Sequence, residues 1–263
     1  MSYYPTEEDL PPLGALCLDY TDDIHRPPGD VIMSSSYKWP VIHEKIIGAT
    51  LWKVVDPNEF SEEYFQLYVQ ACKNLEAKGC IGIVTSCGFL AQIQGRLASA
   101  IDIPIATSSL LQIPYVLTII SPRKKVAVLT FDPSTLCKTH FNGVGITDDM
   151  MKRLVITGCK PGGPLHRIIT DGDSYIHEEL ENELVNLAVE LVNENSDIGA
   201  FVLECTQMPP FAKAIQKAVK LPVYDGVTMV NWFYSGLVCK TLPEDNEKEA
   251  GLRKRQRSKK EMK

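Results

Sequence analysis

The chain lacks the sequence signals of several common protein classes. It has no GxGxxG after its first predicted strand and no GxxxxGK[ST] anywhere, so it carries neither the usual dinucleotide-binding signal nor a P-loop. It has no CxxC and no HxxxH, which leaves a zinc site without support, and we predict neither a metal nor a cofactor. No stretch of 18 residues is free of polar interruption, so we predict no membrane span.

A basic surface and an export signal are also missing. The net charge is -6, which argues against a dedicated nucleic-acid binder. The first residues, MSYYPTEEDLPP, lack the basic start and apolar core of a signal peptide, so we expect a cytoplasmic protein. The eight cysteines are irregularly spaced and should be mostly free thiols there. The charged segment 241–263 is predicted to be a disordered, solvated tail.

Apolar runs alternate with helical patterns along the 263 residues, 44% of which are hydrophobic. The clearest helix covers residues 58–79, where apolar side chains recur with a period of 3.6. LGALCLDY at 13–20 and KKVAVLT at 124–130 are typical of buried strands, and DPST at 132–135 looks like a helix opening. The alternation predicts an α/β fold with parallel central sheets.

One part of the chain resembles a second part that lies 118 positions later, and we call this similarity the 118-residue echo. When the sequence is shifted by 118 positions, Cys87 aligns with Cys205, Gly82-Ile83-Val84 with Ala200-Phe201-Val202, and Pro104-Ile105 with Pro222-Val223. Each copy reads as a buried strand, a cysteine, a helix and a second strand led by proline. The chain is therefore predicted to consist of two related α/β halves, each with a cysteine where a central strand ends.

The predicted position of these cysteines has chemical consequences. Ligands of open α/β sheets bind beyond the carboxyl ends of the strands, where helix N-termini favour anions. Such a place should lower the pKa of a thiol. Two thiols that face one small acid from opposite sides can remove a proton from the carbon beside the carboxylate and return one to the other face. Hydroxyl groups near the predicted strand ends are candidates for binding the substrate, although each of them also suits a turn or cap: Thr85, Ser86, Thr130, Ser134, Thr135 and Thr206.

The sequences SCG at 86–88 and ECTQMP at 204–209, equally placed in two halves, resemble the aspartate/glutamate racemase superfamily of two-cysteine, PLP-independent enzymes. The resemblance spans residues 12–240. It implies two pseudo-symmetric doubly wound domains, 1–120 with 221–240 and 121–220, with the active site in the cleft between them. It also implies that Cys87 and Cys205 are the acid/base pair. The substrate-side residues would then include Asp19, Gly88, Phe89, Thr130 and Gln207.

On this basis we predict a racemase of an acidic amino acid such as aspartate or glutamate, and the resemblance is compatible with a homodimer. Arg26, in the loop after the first strand, is a candidate clamp for the substrate carboxylate. Gly88-Phe89 and Gln207 depart from common family patterns and leave the substrate open. Other members of the superfamily, of the hydantoin racemase or maleate cis-trans isomerase type, stay as alternatives. A non-catalytic module that binds a small acid and a redox pair of the two cysteines are alternatives from other classes.

Overall fold

The computed structural model describes residues 9–56 and 58–239, so the predicted tail at 241–263 lies outside the described residues. Two four-stranded parallel sheets form the framework. The first has the order β2-β1-β3-β4 and the second the order β6-β5-β7-β8. The strands are β1 (Leu13–Leu18), β2 (Val41–Ile46), β3 (Ile83–Thr85), β4 (Ile105–Ala106), β5 (Lys125–Thr130), β6 (Leu154–Gly158), β7 (Ile198–Leu203) and β8 (Val223–Tyr224).

Helices connect these strands and flank the sheets. They are α1 (Leu51–Val54), α2 (Glu62–Ala77), α3 (Gln94–Ala100), α4 (Ile113–Ile119), α5 (Lys138–Gly143), α6 (Asp148–Met151), α7 (Pro164–Asp171), α8 (His177–Glu194), α9 (Ala212–Val219) and α10 (Gly226–Leu237). Short 3₁₀ turns include Gly88–Ile93 and Pro209–Phe211. This architecture confirms the predicted α/β fold with parallel sheets.

The long helix α2 shows how the sequence encodes its own boundaries. Ser61 accepts a hydrogen bond from the Tyr64 amide and caps the first turn, whose two glutamates suit the positive end of the helix dipole. Gly79, with φ of +82°, follows the last turn because glycine adopts this left-handed backbone at little cost. The buried stripe that packs on the first sheet includes Tyr68 and Leu75, as the 3.6 period predicts.

The structure reproduces the 118-residue echo down to the strand register. Ile83 pairs with Ile105 in the first sheet, and Phe201 pairs with Val223 in the second. The helices α3 and α9 also begin 118 residues apart, at positions 94 and 212. Both sheets therefore have the same topology, and the end of β3 corresponds to the end of β7.

One detail differs from the sequence expectations. The DPST segment opens no helix, because Asp132 folds back to accept hydrogen bonds from the amide and hydroxyl of Ser134, and α5 begins only at Lys138.

The last strand and the last helix contact different halves. Strand β8 pairs with β7, whereas α10 packs in the apolar cluster around β1. The domain boundaries stay a prediction. Among the described helices, none combines the length and apolar composition that a membrane-crossing segment requires.

Candidate active site

Cys87 and Cys205 lie just beyond the carboxyl ends of the equivalent strands β3 and β7. Both thiols are buried, with 7% and 9% of each residue exposed, and both line one small cavity. The cavity lies at the edge of both sheets, where ligands of parallel α/β proteins bind. The two cysteines that the sequence predicted to act together therefore share one pocket.

Two equivalent contacts join the halves beside these thiols. Gly88, after Cys87, packs directly on Glu204, and Thr206, after Cys205, donates a hydrogen bond of 2.8 Å to the carbonyl oxygen of Ser86. Positions 88 and 206 are related by the shift of 118, and so are positions 86 and 204. Each copy thus touches the other with the same pair of positions, as in a two-fold symmetric interface. The local pseudo-dyad passes between the two cysteines.

Each cysteine also receives a hydrogen bond from the backbone amide two residues later. The donor is Phe89 for Cys87 and Gln207 for Cys205, and each bond favours the ionised thiol. Only short 3₁₀ turns follow the cysteines, however, so no long helix directs its dipole at either sulfur.

The expectation of lowered thiol pKa values was wrong. Burial, followed by the charge of Glu204, raises the pKa of Cys87 to about 12 and raises that of Cys205 well above its ordinary value. Both groups are therefore neutral thiols near neutral pH. The surroundings of Cys87 stabilise a thiolate better than those of Cys205, because the Tyr20 hydroxyl and the positive charge of Arg26 lower the pKa of Cys87.

One side of the cavity is apolar. Ile24, Leu51 and Val55 come from the first half of the chain, and Phe131 and Ile169 come from the second. The ring of Phe131 stacks on His166 with centroids 5.4 Å apart, and the ring of Phe89 meets the edge of His140 at 5.0 Å. These contacts hold two aromatic faces at the pocket in fixed orientations.

Arg26 supplies a positive charge to the pocket wall. Its guanidinium donates to the carbonyl oxygen of Thr21 and to Asp30, whose carboxylate is fully buried and lies 3.0 Å away. Burial raises the pKa of Asp30, and the nearby charge of Arg26 opposes that rise. The ion pair anchors the loop after β1 against the pocket. His25 of the same loop packs on Tyr175 of the second half, with centroids 4.7 Å apart.

Glu204, which precedes Cys205, is a fully buried carboxyl group in the pocket wall. Thr130 donates a hydrogen bond of 2.7 Å to its Oε2, and no described residue hydrogen-bonds its Oε1. Burial raises the pKa of Glu204 to about 7, although the bond from Thr130 lowers it. Glu204 is the first residue of the ECTQMP motif, which by itself indicated no role for this side chain. The signal available was an acidic residue that ends an apolar strand.

The structure brings seven of the predicted site residues to the cavity and places six elsewhere. Those that line it are Arg26, Ser86, Cys87, Phe89, Cys205, Thr206 and Gln207. Three residues contact the lining residues without lining the cavity themselves. Thr85 donates hydrogen bonds to the carbonyl oxygens of Cys87 and Thr107, and both Gly88 and Thr130 contact Glu204. Asp19 accepts from the Gly48 amide, and Ser134 and Thr135 bond Asp132, so these three side chains hold their own loops together.

Sequence reasoning missed Tyr20 and the apolar wall. Tyr20 follows Asp19 directly, and its hydroxyl bonds Cys87, but a lone tyrosine after a strand gives no distinct signal. The apolar lining residues look like core residues in the sequence. Within the described ranges, His, Cys, Asp and Glu side chains form no cluster of three suited to a metal ion.

Comparisons with known proteins place this site in context. No family model matches the chain. Dimethylsulfoniopropionate lyase 7 of Emiliania huxleyi (strain CCMP1516) is 29% identical over 236 residues, which are 88% of this chain and 68% of the lyase. A dimethylsulfoniopropionate lyase of Durusdinium sp. clade D is 28% identical over 86% of this chain and 75% of that protein. For dimethylsulfoniopropionate lyase 3 of E. huxleyi the matched share is 61%, so the chain is shorter than these relatives.

Solved structures share the fold at low sequence identity. Unliganded arylmalonate decarboxylase superposes with a TM-score of 0.58 at 14% identity, covering 90% of this chain and 96% of that one. Glutamate racemase RacE1 from Bacillus anthracis gives a TM-score of 0.51 at 12% identity, covering 88% and 84%. The chain therefore has the two-sheet α/β fold of the aspartate/glutamate racemase type.

Proposed function

We propose that this chain is an enzyme of the aspartate/glutamate racemase superfamily that removes a proton from the carbon beside a carboxylate. We propose further that it eliminates a neutral sulfide from a dimethylsulfoniopropionate-like substrate. The observation that carries this choice is the pocket itself: two thiols and one guanidinium line a cavity together with several apolar and aromatic side chains. The named lyases that resemble the chain over 88% of its length support the same choice.

The pocket wall suits the two ends of such a substrate. The carboxylate would pair with the guanidinium of Arg26, since arginine presents several N–H donors to a carboxylate. A dimethylsulfonium group donates no hydrogen bonds, and its methyl groups suit apolar walls. Its positive charge is also attracted to aromatic faces such as those of Phe89 and Phe131, by about 0.5–2 kcal/mol.

The reaction needs one base. A Cys87 thiolate would take a proton from the carbon beside the carboxylate, and the electron pair left behind would form a carbon–carbon double bond. The bond from the next carbon to sulfur would break, and its electrons would leave with dimethyl sulfide. The other product is acrylate, and Cys87 keeps the proton until solvent removes it. Cys87 is the more readily ionised base, because Tyr20 and Arg26 lower its pKa, whereas Glu204 raises the pKa of both thiols.

Racemisation of an acidic amino acid is the second candidate, and the pseudo-dyad favours it. Each thiol follows an equivalent strand and receives the same type of backbone hydrogen bond, as two bases on opposite faces of one carbon require. Against it, an amino group and a second carboxylate would each need their own polar partner. Asp19, Ser134 and Thr135, which the sequence suggested as substrate-binding residues, do not line the cavity.

A direct assay separates the two candidates. The purified chain is incubated with dimethylsulfoniopropionate, and dimethyl sulfide is measured in the headspace by gas chromatography. In parallel, L- and D-aspartate and glutamate are incubated in deuterated water, and deuterium at the α-carbon is measured by NMR. We expect dimethyl sulfide together with an equal amount of acrylate, and no deuterium in either amino acid. Deuterium uptake without dimethyl sulfide would reverse the order of the candidates.

Single cysteine variants test the mechanism. Cys87→Ala should abolish dimethyl sulfide release, whereas Cys205→Ala should keep part of the activity because it is not the base. Cys239→Ala, which changes an exposed thiol, is the matched control and should leave the rate unchanged. Full activity in Cys87→Ala would rule out this thiol as the base. A two-base racemase would instead lose interconversion in both pocket variants.

A further inference from the structure

A fully buried carboxyl group lies in the same wall as the two thiols, and the elimination step does not use it. Glu204 has 2% of its surface exposed and belongs to the lining of the cavity together with Cys87 and Cys205. It is the neighbour of Cys205 in sequence. It is also the neighbour of Cys87 in space, because a Cβ placed on Gly88 would come within 2.1 Å of its Oε1.

The carboxyl group is held from one side only. Thr130 donates to Oε2 at 2.7 Å, and Oε1 has no hydrogen-bond partner among the described residues. A buried oxygen without a donor is costly when it carries charge, and much less so when the group is protonated. The surroundings of Glu204 therefore tolerate a proton on it readily.

We propose that Glu204 acts through the two cysteines. The pocket accommodates one negative charge, so ionisation of the Glu204 carboxyl group competes with ionisation of Cys87 or Cys205. Glu204 is then a positioning residue, which limits how much thiolate the pocket contains. This inference goes beyond the proposed reaction and relies on it only for the chemistry of the thiols.

The charges around the pocket agree with such a competition. The charge of Glu204 raises the pKa of both thiols, and the charge of Cys87 also raises the pKa of Cys205. Other titratable or charged groups face the three from the loop after β1, from α2 and from the end of β6: Tyr20, Arg26, Tyr64, Tyr68 and Cys159. Burial raises the pKa of the three tyrosines and of Cys159, so Arg26 alone among them is charged near neutral pH.

The competition has a measurable consequence. Below about pH 7 Glu204 is protonated, and the thiolate population rises tenfold per pH unit. Above about pH 7 the charge rests on Glu204, so the thiolate population levels off. In Glu204→Gln no carboxylate competes, and the rise continues. The ratio of thiolate in the variant to thiolate in the wild type should be about one at about pH 6, about twofold at about pH 7 and about tenfold at about pH 8.

Alkylation of the free enzyme measures this ratio without any substrate. The protein is treated with iodoacetamide across this pH range, and the rate at Cys87 is followed by mass spectrometry of its peptide. Exposed Cys239, compared between wild type and variant at the same pH, corrects for differences in reagent concentration and handling. If iodoacetamide reaches the pocket too slowly, the smaller reagent methyl methanethiosulfonate replaces it.

Two further variants give the test its specificity. Thr130→Val removes the bond that lowers the pKa of Glu204, so the levelling should move to a higher pH. Glu183→Gln is the matched control, because Glu183 is a partly buried carboxyl group beside Cys159 and outside this pocket. It should leave the profile of Cys87 unchanged.

The outcomes separate a charge effect from a structural one. A variant-to-wild-type ratio that is the same at every pH, or a wild-type profile that rises without levelling, would overturn the inference. A ratio that grows with pH supports it even if the protein releases no dimethyl sulfide, so the proposed reaction can fail independently. If the reaction also holds, its rate should level above about pH 7 in the wild type and keep rising in Glu204→Gln.

Discussion

Replacing Gly88 with alanine tests whether the two halves meet as tightly as the structure indicates. Gly88 follows Cys87 and lies against the residue that precedes Cys205. A Cβ at this position would be 2.1 Å from Oε1 of Glu204 and 2.6 Å from its carbonyl oxygen. Non-bonded atoms do not approach so closely. The side chain can turn away, but the carbonyl oxygen belongs to the main chain, so one of the two strand ends has to move.

The expected loss of stability in Gly88→Ala depends on which atoms have to move. Overpacking a well-packed region costs about 1–3 kcal/mol, and a contact with the main chain favours the upper half of that range. The displacement falls between the two cysteines. A misplacement of about 1 Å at a catalytic group lowers a rate by roughly a hundredfold. We therefore expect Gly88→Ala to lose about 2–3 kcal/mol of stability and about two orders of magnitude in rate.

Urea unfolding followed by circular dichroism measures the first effect, and release of dimethyl sulfide measures the second. Gly95→Ala is the matched control: Gly95 is exposed on α3, and a Cβ there would meet nothing within 4 Å. Alanine at that position should stabilise the chain by about 0.5 kcal/mol, since glycine weakens helices. If Gly88→Ala were as stable and as active as the wild type, the close packing of the two strand ends would be refuted.

Three further substitutions test the loop, the interface and the buried acid. Asp30→Asn leaves Arg26 without its buried partner and should cost about 3 kcal/mol in urea unfolding, whereas Glu62→Gln, in an exposed ion pair, should cost less than about 1 kcal/mol. Thr206→Val removes one buried hydrogen bond between the halves and should cost about 1 kcal/mol by the same measurement. The pKa of Glu204 is raised on folding from 4.5 to about 7, so its stabilising contribution is present below about pH 4.5 and is lost as the pH rises through about 7. Between those limits the free energy of unfolding of the wild type should fall by about 3 kcal/mol relative to Glu204→Gln, and parallel urea curves would contradict this.

Most of the strands and the parallel sheets could be predicted because periodicity and spacing are local properties. The 3.6 period at residues 58–79 and the 118-residue echo depend only on which side chains face the core, and the structure matches both. The echo also placed Cys87 and Cys205 at equivalent strand ends. Neighbouring turns were harder to predict: DPST has good capping residues, yet Asp132 uses its carboxylate within the turn itself.

The electrostatics of the site could not be read from the sequence. The direction of a thiol pKa depends on the balance between burial and nearby charges, and both are set by residues distant in the chain. Cys87 is surrounded by Tyr20 and Arg26 from the loop after β1 and by Glu204 from the end of β7, two segments that are distant in the chain. The hydroxyl candidates show the same difficulty, because a residue that follows a strand can point into the pocket, as Ser86 does, or back into its own loop, as Ser134 does.

The two halves differ at the position that precedes each cysteine of the pocket. The shift of 118 relates Ser86 to Glu204, so one cysteine follows a neutral hydroxyl and the other follows a carboxyl group. Ser86 accepts a hydrogen bond from the Leu18 amide and stays neutral at every pH, whereas Glu204 titrates near neutrality. Glu204 nevertheless raises the pKa of both thiols, so it does not by itself distinguish them. The Tyr20 hydroxyl and the charge of Arg26 lower the pKa of Cys87. Elimination needs one base only, and these two neighbours therefore favour Cys87 as the base of the proposed lyase.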